Sequence, residues 1–138
     1  NAVSNSTVPH VTVILASSYG AGNYGMSGRA FGTRFTYIWP LAKIAVMGPK
    51  QMAGVMSIVQ KASAERRGIE FDEEADAARA AVAEHWAEEA SKGLYATSRV
   101  SDDGMIDPRD TRDIIAMSLS AAFNNKVEGT KEFGTWRM

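Results

Sequence analysis

The residues best suited to chemistry are the glycines of Ser17-Ser18-Tyr19-Gly20-Ala21-Gly22-Asn23-Tyr24-Gly25-Met26, and that chemistry would be done by backbone rather than side chains. They follow directly on the apolar run Val11-Thr12-Val13-Ile14-Leu15-Ala16, so the pattern predicts a buried strand delivering a glycine-rich turn into a helix. The first N–H groups of a helix have no intrahelical acceptor, and glycine puts no Cβ between them and a ligand. Such a junction holds negative oxygen: the phosphate of a nucleotide, or the oxyanion of an enolate or ureido group during reaction.

Other chemistries lack their residues. The chain of 138 residues has no cysteine and two histidines, His10 and His85, without zinc-site spacing, so neither a disulfide framework nor a metal centre is expected. Gly20-x-Gly22-x-x-Gly25 formally matches a dinucleotide fingerprint, but no acid precedes Glu65 to take a ribose hydroxyl, and two successive strands after it break the βαβ pattern. No Gly-Lys-Ser/Thr follows the glycines and no Gly-x-Ser-x-Gly elbow is present. The absence of a convincing side-chain nucleophile or base favours backbone donors acting on a bound cofactor.

The elements that position the turn are legible. Phe35-Thr36-Tyr37-Ile38-Trp39 and Lys43-Ile44-Ala45-Val46-Met47 read as strands on either side of Pro40, and residues 21–30 as a short helix. Gly48-Pro49 opens a helix that Gly68 ends, with Met52, Val55, Met56, Val59 and Ala62 as its buried face and the methionines as core filler. Asp72 caps the next helix, which Gly93 ends; Phe71, Ala75, Ala78, Val82, Trp86 and Ala90 form a narrow stripe expected to pack on another helix, and His85 takes a surface or packing role. Asp107 caps a last helix with Pro108 in its first turn and Ile114, Ile115, Leu119, Ala122 and Phe123 as its apolar face. The aromatic tail, residues 133–138, is expected to dock rather than be solvated. The order β-α-β-β-α-α-α predicts one α/β domain over residues 1–138, with sheet and glycine turn in 1–48 and helices in 49–138.

Charge is lopsided. Residues 1–64 carry five bases and no acid, a formal +5, while the rest holds ten bases against sixteen acids, a formal −6. Five scattered bases form no nucleic-acid stripe, and the apolar runs fall short of a membrane span, so no nucleic-acid or membrane partner is expected.

Several segments together carry a resemblance: Ser4-Asn5-Ser6-Thr7-Val8-Pro9-His10, residues 17–31 (SSYGAGNYGMSGRAF), Tyr37-Ile38-Trp39-Pro40, Ala45-Val46-Met47-Gly48, residues 102–112 (DDGMIDPRDTR), and Glu132-Phe133-Gly134 with Arg137-Met138. In this order the chain resembles the carboxyltransferase (β) subunit of biotin-dependent acyl-CoA carboxylases. Its Gly-Ala-Gly-Asn-Tyr-Gly form is more similar to the methylcrotonyl-CoA and geranyl-CoA branch than to the propionyl- or acetyl-CoA branch. Ser27 stands where that branch often has Cys, an exchange expected to alter helix packing little.

The resemblance implies a crotonase-like fold of ββα units, α/β in class, of which this chain is the C-terminal part of a carboxyltransferase domain, as a fragment or a split-gene product. It implies transfer of a carboxyl group from carboxybiotin, held on a separate carrier domain, to an acyl-CoA. Ala21 and Gly22 would donate backbone N–H groups to the ureido oxyanion, and Tyr19, Gly20, Asn23 and Tyr24 would wall the biotin pocket. Implied partners are further β subunits, a hexamer at full length, and an α subunit with the biotin carboxylase and biotin carrier. The implied compartment is the bacterial cytoplasm, or the mitochondrial matrix in a eukaryote. An acyl-CoA hydratase or isomerase of the same fold and a non-catalytic assembly module are the alternatives; the first would need a Glu near the turn, and none is there.

Overall fold

The structure, a computed structural model, describes residues 2–129. The expected docking of the tail lies outside those residues. A short helix α1 (Ala2–Asn5) precedes β1 (Val11–Ile14) and β2 (Ser17–Tyr19); α2 (Ala21–Gly25) and a 3₁₀ turn (Arg29–Phe31) follow, then β3 (Phe35–Ile38) and β4 (Lys43–Ala45). Helices α3 (Pro49–Arg67), α4 (Glu73–Ser91) and α5 (Gly93–Ser98) come next, then β5 (Gly104–Met105), a 3₁₀ turn (Pro108–Asp110) and α6 (Thr111–Ala122).

The strands form two small parallel sheets, β1-β3-β5 and β2-β4. Parallel neighbours require a crossover, and the α2 segment supplies it for both sheets at once, because β1 and β2 pair in register with β3 and β4 (Val11↔Phe35 to Ile14↔Ile38, Ser17↔Lys43 to Tyr19↔Ala45). The chain steps from one sheet to the other through Leu15-Ala16 and again between Trp39 and Ala42. At this step sits the core, Ile14, Ile38 and Ala42, with Trp39, Ile44 and Met105 packed against it. Gly93 belongs here too. Instead of ending α4 it opens α5, its N–H donating to Ala42 O at 2.9 Å, and a Cβ there would stand 3.2 Å from that oxygen.

Caps and ties follow the sequence. Asp72 accepts from Ala75 N–H at 2.9 Å, and Gly68 closes α3 in the left-handed region at φ 63°. Asp107 accepts from Arg109 N–H at 2.8 Å, capping the 3₁₀ turn that leads into α6 rather than α6 itself. Tyr37 OH lies 2.7 Å from Ser118 Oγ, and Trp39 Nε1–H donates to Thr111 Oγ1 at 3.0 Å, so two side chains of the β3 segment hold α6.

Three expectations are corrected. The α3 face read as buried is open: Val55, Met56 and Val59 are about half exposed and Ala53 alone among α3 residues is buried. On α4, Val82 and Trp86 are exposed, and the buried positions are Asp76, Ala87 and Ser91 on another face. On α6 the correction is partial: Ala122 is buried and Ile114 and Ile115 half-buried as expected, whereas Leu119, and Phe123 just past the helix, are exposed and Ser118 is buried. Helical periodicity identifies an apolar face but not what covers it, and the described residues supply no cover here. His85 is exposed, as expected.

Candidate functional site

Gly20 anchors the site. Its N–H donates to Ala45 O at 3.0 Å, extending the β2-β4 pairing by one bond, and its backbone then turns at φ 56° and ψ −134° to start α2. A side chain fails there twice, since the torsions suit glycine and a Cβ would sit 2.8 Å from Val46 O. Gly22 differs: a Cβ at Gly22 would meet no atom within 4 Å. Nothing in the described fold requires glycine at that position.

Ala21 and Gly22, the first two helical residues, are exposed, and their N–H groups have no intrahelical acceptor. Asn23 N–H is already committed to Gly20 O at 3.1 Å. The Asn23 side chain is fixed by a bond from Nδ2 to Ser18 Oγ at 3.0 Å and by close approach to Gly28, where a Cβ would fall 2.1 Å from Asn23 Oδ1. Tyr24 is half exposed, with its ring tilted on Phe31 at a centroid distance of 5.7 Å.

Gly20, Asn23 and Tyr24 line a cleft of about 280 Å³ with Ile44 and Ala45 of β4, Val46 just after it, Tyr95 and Ala96 of α5, and Arg99 and Ser101 just beyond that helix. Tyr19 lies off this cleft, half-buried against Gly48, and Ala21 and Gly22 stand on the open shoulder beside it. Sequence reasoning missed the α5 wall. Its signal was present, since an Arg and a Tyr four residues apart share one face of a helix, but nothing in the pattern ties that face to a turn some seventy residues earlier.

A second missed group secures the end of α2. Ser27 lies outside any helix: it is buried at φ 60°, its hydroxyl 2.7 Å from His10 Nδ1 and 3.0 Å from Thr33 Oγ1. The expected placement of Ser27 in a packed helix is therefore corrected, and its hydroxyl lies within 3.0 Å of hydrogen-bonding groups on two sides. Further along, Arg29 pairs with Asp103 at 2.6 Å, and Asp103 accepts Thr36 N–H at 2.7 Å. The Arg29 hydrogen bond, with help from the Thr36 N–H, holds the Asp103 carboxyl below its ordinary range and raises the guanidinium in turn. Lys43 at the start of β4 pairs with Glu88 of α4, which raises the ammonium above its ordinary value. These two pairs brace the turn and the β4 wall.

Arg99 apart, the lining suits a neutral ring with a polar edge. Apolar contact comes from Ile44, Ala45, Val46 and Ala96, hydrogen-bonding groups from the Asn23 amide and the Tyr24 hydroxyl, and a Cβ at Gly22 would point into open space. A biotin bicycle has that character. Among the described residues no group of His, Asp and Glu could hold a metal ion, and no helix is long and apolar enough to cross a membrane.

Comparison with known proteins agrees with this architecture. The carboxyl transferase domain family matches residues 1–135. The chain is 54% identical over 138 residues to a probable biotin-dependent acyl-coenzyme A carboxylase beta2 subunit of Mycobacterium tuberculosis, covering all of this chain and 26% of that protein. It is 49% identical to a probable mitochondrial methylcrotonoyl-CoA carboxylase beta chain of Drosophila melanogaster, covering 99% of this chain and 24% of that one. The β subunit of Pseudomonas aeruginosa geranyl-CoA carboxylase superposes with a TM-score of 0.79 at 34% identity, over 99% of this chain and 26% of that one. The chain thus spans about a quarter of the length of these relatives. Its α/β architecture is the crotonase-like fold of carboxyltransferase β subunits, and the chain belongs to the carboxyl transferase domain family.

Proposed function

We propose that this chain forms the biotin side of a carboxyltransferase site, as the C-terminal part of a domain that moves a carboxyl group from carboxybiotin to an acyl-CoA of the methylcrotonyl type. The observation that carries this reading is the contrast between two glycines. The fold needs Gly20, whereas Gly22 is open to at least 4 Å in the direction a side chain would take. Gly25 and Gly54 are open in the same way, and Gly22 stands apart from them as one of the two residues whose N–H groups begin α2 beside the cleft.

When bound, biotin supplies the carboxyl group and the ureido nitrogen that serves as base. The chain's own residues bind and orient. Ala21 and Gly22 would hold the ureido oxygen through their backbone N–H groups, and removing such a donor costs roughly 3–4 kcal/mol of transition-state stabilisation in other enzymes. Asn23, held by Ser18 and Gly28, and Tyr24, tilted on Phe31, would orient the ring's edge, while the Ile44, Ala45 and Val46 wall would keep water off its apolar face. Tyr19 acts from behind the turn by packing on Gly48.

The acyl-CoA side and a further oxyanion donor would come from the parts of the relatives' length that this sequence does not span. The proposed partners are further copies of the β subunit, in line with the hexamer named for a transcarboxylase 12S neighbour, and an α subunit carrying biotin carboxylase and biotin carrier. The proposed compartment is the cytoplasm of a bacterium, or the mitochondrial matrix in a eukaryote. Co-expression with the N-terminal portion of a relative tests the reading. Biotin-dependent decarboxylation of methylglutaconyl-CoA, the reverse reaction, should require both pieces; a well-folded complex without that activity would refute it.

A further inference from the structure

We propose that Arg99, lying over the Tyr95 ring, is the carboxylate-binding group of the cleft, so that the site reads the carboxyl group to be transferred and not only the ring that bears it. This rests on the biotin-side reading above. Among the described residues lining the cleft Arg99 is the only charged one, and no carboxylate faces it there. Among the described residues Arg99, like Arg34, Arg66, Arg67 and Arg112, forms no ion pair, and of these five it is the one that lines the cleft. Its guanidinium carbon lies 4.8 Å from the Tyr95 ring centroid, a stacking contact that sets the plane of the fork.

The chain accepts strain to present this group. Val100 follows at φ 58°, a left-handed conformation that is a genuine outlier for a β-branched residue. It is exposed, so packing does not reward it. Two bonds hold the turn, Val100 N–H to Thr97 O at 2.9 Å and Ser101 N–H to Ala96 O at 3.0 Å, and they place Arg99 and Ser101 on the same rim of the cleft. Strain of this kind, beside an unpaired cation in a cleft, points to a ligand.

The ligand's class follows from the charge. One guanidinium among neutral walls matches a monoanion, and its planar fork matches a carboxylate through two parallel hydrogen bonds. A phosphate of CoA is the other anion at hand, and binding measurements separate the two. The probes are biotinamide, biotinamide carboxymethylated at the ureido nitrogen, and CoA, titrated calorimetrically into the chain complemented by the N-terminal portion of a relative.

The carboxymethyl compound should bind about tenfold or more tighter than biotinamide, a charge-assisted pair's worth. Arg99→Gln should abolish that preference while leaving biotinamide and CoA affinities unchanged, and Arg99→Lys should keep part of it. A preference that survives in Arg99→Gln overturns the proposal, as does a loss that falls on CoA instead. Binding of neither biotin compound by the unsubstituted protein overturns the biotin-side reading and this proposal with it, whereas equal binding of the two overturns this proposal alone.

Discussion

His10 Nδ1 lies 2.7 Å from Ser27 Oγ, and the direction of that hydrogen bond can be assigned from its neighbours. Thr33 Oγ1 has one proton and gives it to the carbonyls of Ser27 or Gly28, so at 3.0 Å from Ser27 Oγ it can only accept. Ser27 therefore donates to Thr33 and accepts from His10 Nδ1–H. With the proton on Nδ1, the other ring nitrogen, Nε2, lies 3.0 Å from Ser6 Oγ and can accept its hydroxyl proton. This chain of bonds holds a non-glycine residue at φ 60° where α2 must stop. Nitrogen-15 spectra near neutral pH should show the Nδ1–H tautomer. Ser27→Ala, which keeps the strained torsion and strands His10's proton, should destabilise by about 1–3 kcal/mol, and Ser27→Gly, which relieves the strain, by less. The Nε2–H tautomer, or an unchanged unfolding midpoint in Ser27→Ala, would contradict this.

Val100 offers the opposite case. Glycine in its place removes a left-handed penalty of about 1–2 kcal/mol and adds unfolded-chain entropy of about 0.5–1 kcal/mol. Val100→Gly should therefore stabilise slightly, by about 0.5–1 kcal/mol, read as a higher denaturation midpoint. A lower midpoint would mean that the valine side chain is held by contacts beyond the described residues.

Asp103 makes stability pH-dependent. Its carboxyl is depressed by the Arg29 hydrogen bond first and the Thr36 N–H second. A folded-state value below the unfolded one contributes stability that is complete above the unfolded carboxyl's range, about pH 4, and is lost as pH falls through the depressed value. Asp103→Asn should thus be less stable than the unsubstituted chain at pH 7, and the gap should shrink towards pH 3. Urea midpoints at the two pH values measure it, and an equal gap at both would exclude the pair as its source.

Apolar residues of α3 and α4 stand open, Ile58 at 69% exposure and Val82 and Trp86 at 70% and 62%. Faces of this extent are covered in stable proteins. The chain alone should self-associate in sedimentation experiments, and co-expression with the N-terminal portion of a relative should replace that by a defined assembly. A monodisperse, fully active monomer would sink the idea.

Where the sequence spoke clearly, a local rule was at work. Gly68 and Asp72 mark helix ends through their own torsions and caps, and alternating β-branched and aromatic residues mark β3. Ser17, Ser18 and Tyr19 read as part of the turn although they form β2, because they pair with a strand 26 residues on. β5 is two residues long and exists through its pairing with Tyr37 and Ile38. Gly93 read as a stop because glycine ends helices, yet it is there so that α5 can approach Ala42. The glycine turn was legible as a site, whereas Arg99 and Ser27 were not, since each acquires its role from a residue distant in the chain.

The most direct measurement of the biotin-side role is Gly22→Val in the complemented protein. A Cβ at this position meets nothing in the described fold within 4 Å, so the unfolding midpoint should stay within a few tenths of a kcal/mol of the parent. Biotin-dependent decarboxylation should fall by about 100-fold or more, as for loss of an oxyanion donor. Full activity in Gly22→Val would contradict the claim that these backbone N–H groups face the reacting ring.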